Sequence, residues 1–488
     1  MQRLSAVDAL FVDMETKRMH NSVVAVLVVD PSGVPGGYTY GKIRQHFADR
    51  LDEIPAYRRR LVHVPFGLAL PLWVDDPDFD LDAHIHRAGL PSPGGRDELA
   101  EFVADVAGRA LDRDRPLWET WVVEGLESGY VAVVAKTHHS LMDGVTGADL
   151  ISRLFDVTPE GRAPSPPQDW APPLLPSPVR LLAGALPGAL LRPATLVRAG
   201  VGAARGAFGL ARGALFRPQS GPTPALPFTA PDTPFNGAIC GQRTVAYGRT
   251  TLSDLKTIKN AYGCTVNDVV LTACGLALRE WLHDHGGVPD RPLIATLPVS
   301  VQESDRVSGN KVSAMFVRLP TTEVDPVLAL RAVQEDTREA KELHQAMGAE
   351  TIMELAEFAP RRLLNLAARL YSSWNLADMH RPVYNVIVSN VPGPPMPLYM
   401  NGAELVAFYP HGPIFEGTGL NITVMSYQES VDIGVIACRE SVQDVGQITE
   451  SFAAAIARLK AAAEQDSAAK DNPGRGTRQR RTRSTPTS

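Results

Sequence analysis

The segment from residue 158 to about residue 235 constrains the fold most, because it divides the 488-residue chain into two parts. It is rich in Pro, Ala, Gly and Arg and contains PSPP, APPLLPSP and RPQSGPTP, which is typical of a connection rather than of a packed element. On either side, short apolar runs alternate irregularly with amphipathic helical patterns. This alternation predicts an α/β (mixed α+β) protein of two similar-sized lobes joined by a long crossover.

The predicted domain boundaries follow the changes in composition. We expect an N-terminal lobe over residues 1–157, the crossover over 158–235, a C-terminal lobe over 236–464 and a disordered basic tail over 465–488. The runs SVVAVLVVD, YVAVVAKTHH, LNITVMSY and VDIGVIACRE predict strands. The runs ELAEFVADVAGRAL, VNDVVLTACGLALREWLHDHG and QITESFAAAIARLKAAAEQ predict helices.

Charge and cysteine content argue against three kinds of protein. The formal net charge of −6 argues against a chain that coats nucleic acid, so no nucleic-acid partner is expected. The four cysteines have no CxxC spacing, which argues against a zinc knuckle and a dithiol redox motif. So few cysteines also fit a reducing cytosol, where disulfides seldom persist.

The sequence predicts neither a signal peptide nor a transmembrane helix. The N-terminal apolar stretch carries Asp8, Asp13 and Glu15, which argues against a signal peptide. No uncharged apolar run reaches about 18 residues, so we predict no transmembrane helix. A cytoplasmic protein is therefore expected.

The crossover has an unusual charge pattern, because no Asp or Glu occurs between Trp170 and Pro231. Two interpretations are open: a basic amphipathic segment on a membrane or lipid surface, or a linker or helix packed on its own protein. Three of its arginines are seven residues apart and would share one helical face, although many glycines weaken a helix here. The arginines of the segment are Arg180, Arg192, Arg198, Arg205, Arg212 and Arg217.

A histidine pair follows one of the predicted strands, in the stretch THHSLMDGVTG. Because neighbouring strand residues point to opposite faces, His138 and His139 do not both aim at one metal ion unless the strand has already ended. We therefore predict no metal site and expect one histidine to face a cavity and the other the packed interior. Asp143 has an alternative role as a helix cap, and Gly144 permits close approach of a ligand to the backbone.

Together these residues resemble a known family. The HHxxxDG form of HHSLMDG is similar to the acyltransferases related to chloramphenicol acetyltransferase and to peptide-synthetase condensation domains. The ordered set of further motifs resembles the bacterial wax ester synthase/acyl-CoA:diacylglycerol acyltransferases, of the actinobacterial triacylglycerol synthase kind, from about residue 4 to about residue 463. Those motifs are SAVDALFVDMET…MH, PLWETWVVEGL, TVNDVVL, SGNKVSAMFVRLP, SNVPGP and GLNITVMSY.

The resemblance implies two chloramphenicol-acetyltransferase-like lobes with an active-site tunnel between them. The implied reaction moves a long-chain acyl group from acyl-CoA, a co-substrate, to the hydroxyl of diacylglycerol, without a metal or other cofactor. His139 is implied as the general base and His138 as a structural residue beneath it. Asp143 is expected to orient the loop through an ion pair, or else to hold the His139 tautomer.

The resemblance also implies roles for residues outside the histidine stretch. Asn267 is a candidate donor to the oxyanion, although TVND also matches a helix capping box. Three residues of the PLWETWVVEGL motif are expected either to shape the acyl channel or to pack in the core. Two residues of the SNVPGP motif are expected to mark either a strand end at the cleft or a turn. These residues are Pro116, Leu117 and Trp118, and Ser389 and Asn390.

Several alternatives stay open at this level. The acceptor can be a long-chain alcohol, as in a wax ester synthase, and the donor a carrier-protein thioester. A non-catalytic protein that binds lipid bodies and a hydrolase are further alternatives. GxSxG is absent from the sequence, which favours direct transfer over a serine acyl-enzyme. The resemblance implies peripheral association with the inner face of the cell membrane or with lipid bodies; it leaves the oligomeric state open.

Overall fold

The computed structural model describes residues 1–142, 147–163, 170–186, 225, 228–300, 312–347 and 361–471. In the N-terminal half, helices α1 to α4 span Ala6–Met14, Tyr40–Arg50, Arg96–Gly108 and Gly147–Leu154. Strands β1 to β7 span Gln2–Arg3, Ser22–Asp30, Arg59–Val62, Leu72–Asp75, Ile85–Gly89, Trp118–Glu124 and Val131–His138. These elements include the strands and the helix predicted from SVVAVLVVD, YVAVVAKTHH and ELAEFVADVAGRAL, which are confirmed.

The C-terminal half repeats the mixed pattern. Helices α5 to α9 span Leu252–Tyr262, Val266–Asp284, Pro326–Met347, Arg361–Ser373 and Val445–Asp471. Strands β8 to β15 span Arg243–Thr251, Leu293–Ser300, Val312–Leu319, Val386–Val391, Tyr399–Met400, Ala403–His411, Leu420–Tyr427 and Ser430–Cys438. The strands predicted from LNITVMSY and VDIGVIACRE and the two predicted helices α6 and α9 are confirmed.

Two six-stranded sheets organise the described residues. The first has the order β12-β13-β2-β7-β6-β5, and all its neighbours are antiparallel except β5 and β6. The second has the order β10-β9-β11-β14-β15-β8, with β11 parallel to both of its neighbours. A small sheet of order β1-β4-β3 lies beside the first. This architecture confirms the predicted α/β class with two lobes.

One feature of the topology was not predicted, because β12 and β13 come from the C-terminal half but complete the N-terminal sheet. Strand β13 pairs antiparallel with β2, placing Tyr409 opposite Val26. Met425 and Tyr427 at the end of β14 also pack in the N-terminal core. The boundary after residue 157 stays a prediction, and the N-terminal lobe uses both halves of the chain, whereas the strands of the second sheet all come from the C-terminal half.

Burial explains why the central elements are so apolar. Strand β7 is almost wholly buried, so its first five residues, VAVVA, form a continuous apolar run rather than an alternating pattern. Helix α6 is buried along most of its length and packs against α5, α7 and α9. Trp118 anchors the N-terminal core and Trp281 the C-terminal core.

The first part of the crossover packs on the N-terminal lobe. Residues 178–186 are helical, and Leu181 and Ala185 pack on Val64. The Arg58 guanidinium lies over the Trp170 ring, and its Cζ is 5.2 Å from the centroid of that ring. Of the six crossover arginines, Arg180 is described and exposed, and the other five lie outside the described residues.

Helices α5 and α6 are the elements whose length and apolar composition have to be compared with those of a membrane-spanning helix. Among the described residues, no helix taken singly is both long and apolar enough to cross a membrane. The two helices meet that standard only when they are counted together across the 104° bend between them.

Candidate active site

The two histidines lie where strand β7 changes into a 3₁₀ turn. The strand ends at His138, and the turn spans His139–Met142. The backbone N–H of His138 donates to the Leu117 carbonyl at 2.9 Å, and that of His139 donates to the Asn21 carbonyl at 2.8 Å. Because the neighbouring chain segments hold both backbone groups, the direction of each imidazole is set by the sheet.

His138 is part of the packed interior and is 1% exposed. Its Nδ1 accepts from the Ser140 backbone N–H at 3.1 Å and lies 2.6 Å from Ser140 Oγ. A backbone N–H can only donate, so the neutral ring carries its proton on Nε2. Nε2 lies 3.5 Å from Glu15 Oε1, which is within ion-pair distance but without the geometry of a hydrogen bond.

Glu15, which directly follows helix α1, is held as a carboxylate. Arg113 donates to Glu15 Oε2 from Nε at 3.1 Å and also from Nη2, and the same Nη2 donates to the Val12 carbonyl at 3.0 Å. Burial alone would raise the pKa of Glu15, but contacts with His138 and Arg113 outweigh it and lower the pKa to about 2. This charge ties helix α1 to the histidine strand.

His139 is partly exposed and is covered on one face by a phenyl ring. The Phe11 and His139 ring centroids are 4.2 Å apart, and the ring planes differ by 21°. Burial, followed by the nearby His138, lowers the pKa of His139 to about 4. The imidazole is therefore neutral near pH 7, which is the form that can accept a proton.

Helix α1 also connects the histidine turn to the C-terminal half. Asn365 Nδ2 in α8 donates to the Asp13 carbonyl of α1 at 2.9 Å. Beyond the helix, Arg18 Nη1 donates to Asn375 Oδ1 at 2.7 Å. The histidine turn thus lies on one side of α1, with α8 packed against the same helix.

The TVND motif begins helix α6, and its helix-capping interpretation is confirmed. Thr265 Oγ1 accepts from the Asp268 backbone N–H at 3.1 Å, and Asp268 Oδ2 accepts from the Thr265 N–H at 2.9 Å. Asp268 Oδ1 accepts a further bond from Thr337 Oγ1 at 2.9 Å. Asp268 is therefore structural, and Asn267 is left half-buried beside it.

Asn267 meets one of the predicted cleft residues. Asn390 Nδ2 donates to Asn267 Oδ1 at 3.4 Å, a long hydrogen bond. Asn390 is exposed near the end of β11 and lies opposite Val424 of β14, while Ser389 before it is half-buried. The next β14 residue, Met425, packs in the same core as Leu141 of the histidine turn.

The PLW segment lies in the N-terminal core. Trp118 is stacked between Tyr57 and His84, with ring centroids at 4.1 and 4.6 Å, and its Nε1 donates to the Tyr57 carbonyl. Pro116 and Leu117 are also buried. The core interpretation accounts for Trp118, the Leu117 carbonyl supports His138, and an acyl-channel role for the segment stays a prediction.

Other predicted residues fall elsewhere. Asp143 and Gly144, like Gly309 and Asn310 of the SGNKVSAMFVRLP motif, lie outside the described residues. Within the part of the chain that the structure describes, no group of three or more His, Cys, Asp or Glu side chains could hold a metal ion.

The sequence interpretation missed the residues that surround the histidines, which are Phe11, Glu15, Asn21, Arg113 and Ser140. The opening motif SAVDALFVDMET contained the available signal, since it sets an apolar helical pattern directly before an acidic residue. Nothing comparable marks Arg113, which reaches Glu15 across 98 positions of the chain.

The comparisons with known proteins cover nearly the whole chain. Residues 4–270 match the wax ester synthase/diacylglycerol acyltransferase catalytic domain, and residues 308–460 match the WS/DGAT C-terminal domain. A Mycobacterium tuberculosis protein named "Putative diacyglycerol O-acyltransferase Rv1760" is 39% identical over 464 residues, which are 94% of this chain and 90% of that protein. Another from the same organism, with the same description and the designation Rv3740c, is 36% identical over 467 residues, 94% of this chain and 99% of its own length.

Solved structures agree with these relatives. The wax ester synthase/diacylglycerol acyltransferase from Marinobacter aquaeolei VT8 superposes with a TM-score of 0.68 at 26% identity, covering 95% of this chain and all of that one. The first condensation domain of the CDA synthetase shares the fold, with a TM-score of 0.51 at 16% identity over 94% of this chain and 96% of its own. The chain therefore belongs to the wax ester synthase/diacylglycerol acyltransferase family of acyltransferases.

Proposed function

We propose that this acyltransferase moves a long-chain fatty acyl group from acyl-CoA to the free hydroxyl of diacylglycerol, making triacylglycerol. The names of the Mycobacterium tuberculosis relatives support diacylglycerol as the acceptor. The observation that carries the proposal is the state of His139, a neutral and partly exposed imidazole at the end of a buried strand.

In the proposed mechanism, His139 takes the proton of the acceptor hydroxyl as its oxygen attacks the thioester carbonyl. The tetrahedral intermediate then collapses, the C–S bond breaks, and the proton passes from His139 to the departing CoA thiolate. General-base assistance of this kind is typically worth about 10²- to 10⁴-fold in rate. Because the pKa of His139 lies near 4, the base is available throughout the neutral range.

His138 and Glu15 act as positioning residues in this mechanism. The charged Glu15 faces His138 Nε2, and helix α1 before it carries Phe11, the ring stacked on His139. Asp143 is proposed to orient the loop of the HHxxxDG motif through an ion pair. Gly144 is proposed to leave space for the thioester arm of acyl-CoA.

Asn267 is proposed to donate its amide N–H to the oxyanion of the tetrahedral intermediate. Since Asn390 binds Asn267 through Oδ1, the donor side of the Asn267 amide stays available for the oxyanion. Ser389, at the same strand end, is proposed to line the cleft.

Lipid-surface association is part of the proposal, since acceptor and product are lipids. Between Trp170 and Pro231 the crossover contains six arginines and no Asp or Glu. In the part of it that the structure describes, Leu174 and Val179 are exposed. These features favour a peripheral contact with anionic lipid.

A second acceptor has a specific observation in its favour. The Marinobacter protein that shares this fold bears a name that includes wax ester synthase. A long-chain alcohol presents the same hydroxyl on an apolar chain, so the proposed base serves either acceptor.

The deciding experiment uses purified full-length protein with labelled palmitoyl-CoA and either diacylglycerol or hexadecanol, with products separated by thin-layer chromatography. His139→Ala should lower triacylglycerol formation by about 100-fold or more, because the general base is lost. His283→Ala serves as the matched control, since His283 is exposed and bonds Asp284 beside it, and it should retain activity. Unchanged transfer by a folded His139→Ala protein would refute the base assignment, and wax ester as the dominant product would identify the alcohol as acceptor.

A further inference from the structure

Two of the four cysteines are brought together although they lie 198 positions apart in the chain. Cys240 precedes strand β8, and Cys438 ends strand β15. Their Sγ atoms are 3.2 Å apart, and the Cys240 backbone N–H donates to Cys438 Sγ at 3.1 Å. The proposed acyl transfer uses neither thiol, and such a separation in sequence forms no recognisable motif.

The two thiols differ in access. Cys240 is partly exposed, whereas Cys438 is buried. Burial opposes ionisation of Cys438, but hydrogen bonds from Cys240 outweigh it and lower its pKa. Burial and the hydrogen bond with Cys438 raise the pKa of Cys240. The pair therefore joins an accessible sulfur to a sheltered sulfur whose thiolate is stabilised.

We propose that Cys240 and Cys438 form an oxidative modification site, at which a hydroperoxide converts the two thiols into a disulfide. Cys240, the accessible sulfur, gives up its proton to solvent and attacks the peroxide as a thiolate, so that an O–O bond breaks, Cys240 becomes a sulfenic acid and water or an alcohol leaves. The Cys438 thiolate then attacks Cys240 Sγ, and the second oxygen leaves as water. Two thiols and one hydroperoxide thus yield one disulfide, one water and one further water or alcohol.

The approach required for bond formation is small. A disulfide is about 2.05 Å long, so the sulfur atoms must move together by roughly 1 Å. Cys240 lies in the short segment that leads into β8, where its Sγ donates to the Gln242 carbonyl. A local shift of that segment is therefore sufficient, and the sheet can stay in place.

The disulfide would stabilise a segment of the C-terminal half that also contacts the N-terminal half. Arg243 Nη1 donates to the Cys240 carbonyl at 2.6 Å, and its Nη2 donates to the Arg18 carbonyl of the N-terminal half. Ile239 N–H donates to Glu416 Oε2 at 3.1 Å. Oxidation would fasten this segment covalently to β15 and raise the resistance to heat.

The remaining two cysteines provide the internal control. Cys264 and Cys274 are both buried, and they belong to the core around helix α6. Burial raises the pKa of the Cys264 thiol to about 11, and it also shields both thiols from a peroxide in solution, which can reach the partly exposed Cys240.

The test exposes the full-length protein at low concentration to a small excess of hydrogen peroxide, followed by an acid quench and a thiol count under denaturing conditions. The wild-type protein should fall from four free thiols to two, recover all four with dithiothreitol, and yield a peptide that links Cys240 to Cys438 by mass spectrometry. Cys264→Ser should fall from three thiols to one. The melting temperature of the oxidised wild type should exceed that of the reduced protein.

Cys240→Ser is the decisive variant, because Cys240 is partly exposed and its replacement leaves the core intact. It should keep its three thiols under the same treatment and show no reductant-dependent change in melting temperature. A loss of two thiols in this variant would overturn the proposal. So would four unreacted thiols, an over-oxidised Cys240 beside a free Cys438, or an intermolecular disulfide in the wild type.

Discussion

At the residue scale, the imidazoles are governed by a carboxylate that lies outside the HHxxxDG motif. Glu15 pairs with Arg113 and faces His138, and its side chain is 11% exposed. Removal of this partly buried carboxylate is expected to destabilise the folded protein, because Arg113 and His138 would lose their negatively charged partner.

Glu15→Gln is expected to lower kcat about tenfold or more while changing KM little, because the amide keeps the size but removes the charge that holds His138 and α1. Steady-state kinetics with varied acyl-CoA, together with the melting temperature, measure both effects. Glu160→Gln is the matched control, since Glu160 is exposed, and it should match the wild type. A rise in KM of about tenfold with an unchanged kcat would contradict a positioning role.

At the scale of elements, the two large sheets meet where β13 crosses β15. Gly434 of β15 lies directly against β13, and a Cβ at this position would overlap the Pro410 carbonyl oxygen. Asp432 reinforces the crossing, because it accepts from the Phe408 backbone N–H at 2.8 Å and from Arg249 Nε at 2.6 Å. Glycine is thus required here by close approach of two backbones.

Gly434→Ala is expected to destabilise the protein by about 3 kcal/mol or more, because the added methyl forces the two strands apart. Urea denaturation measures the change in the free energy of unfolding. Gly446→Ala in helix α9 is the matched control, since nothing lies within 4 Å of its added Cβ, and it should be neutral or slightly stabilising. Equal stability of the two variants would show that the strand crossing tolerates a side chain.

At the scale of the whole molecule, several histidines are buried in the neutral state. Burial lowers the pKa of each of them, to about 4 in three cases. In the unfolded chain these residues bind protons below about pH 6.5, whereas in the folded protein the three with a pKa of about 4 do not bind them until the pH falls to that value. The unfolded state therefore binds more protons in this window, and stability falls as the pH falls. The residues are the buried His20, His46, His84 and His411 and the partly exposed His139.

We expect the free energy of unfolding to decrease between pH 7 and pH 5, with about 2 kcal/mol from each histidine whose pKa is near 4. His411, which is 0% exposed, allows a direct test by urea denaturation at both pH values. His411→Gln should reduce the pH dependence by about that amount, and His283→Gln, at an exposed site, should leave it unchanged. A pH dependence that is the same in both variants would contradict this assignment.

Short-range patterns in the sequence predicted much of this molecule. The strands β2, β7, β14 and β15 and the helices α3, α6 and α9 follow from the spacing of apolar residues, because periodicity reports which side of an element is buried. The capping box of Thr265 and Asp268 was likewise readable, since both of its hydrogen bonds span three residues. The family followed from an ordered set of such local motifs.

The sequence by itself therefore determined the elements, the two-lobed α/β class and the family. Only the tertiary structure decided that β13 joins the N-terminal sheet, that Glu15 and Phe11 surround the histidines and that Cys240 meets Cys438. The physical reason is the same in each case. Backbone hydrogen-bonding groups are alike in every strand, and a side chain's partner across a hundred or more positions depends on how all the elements pack together.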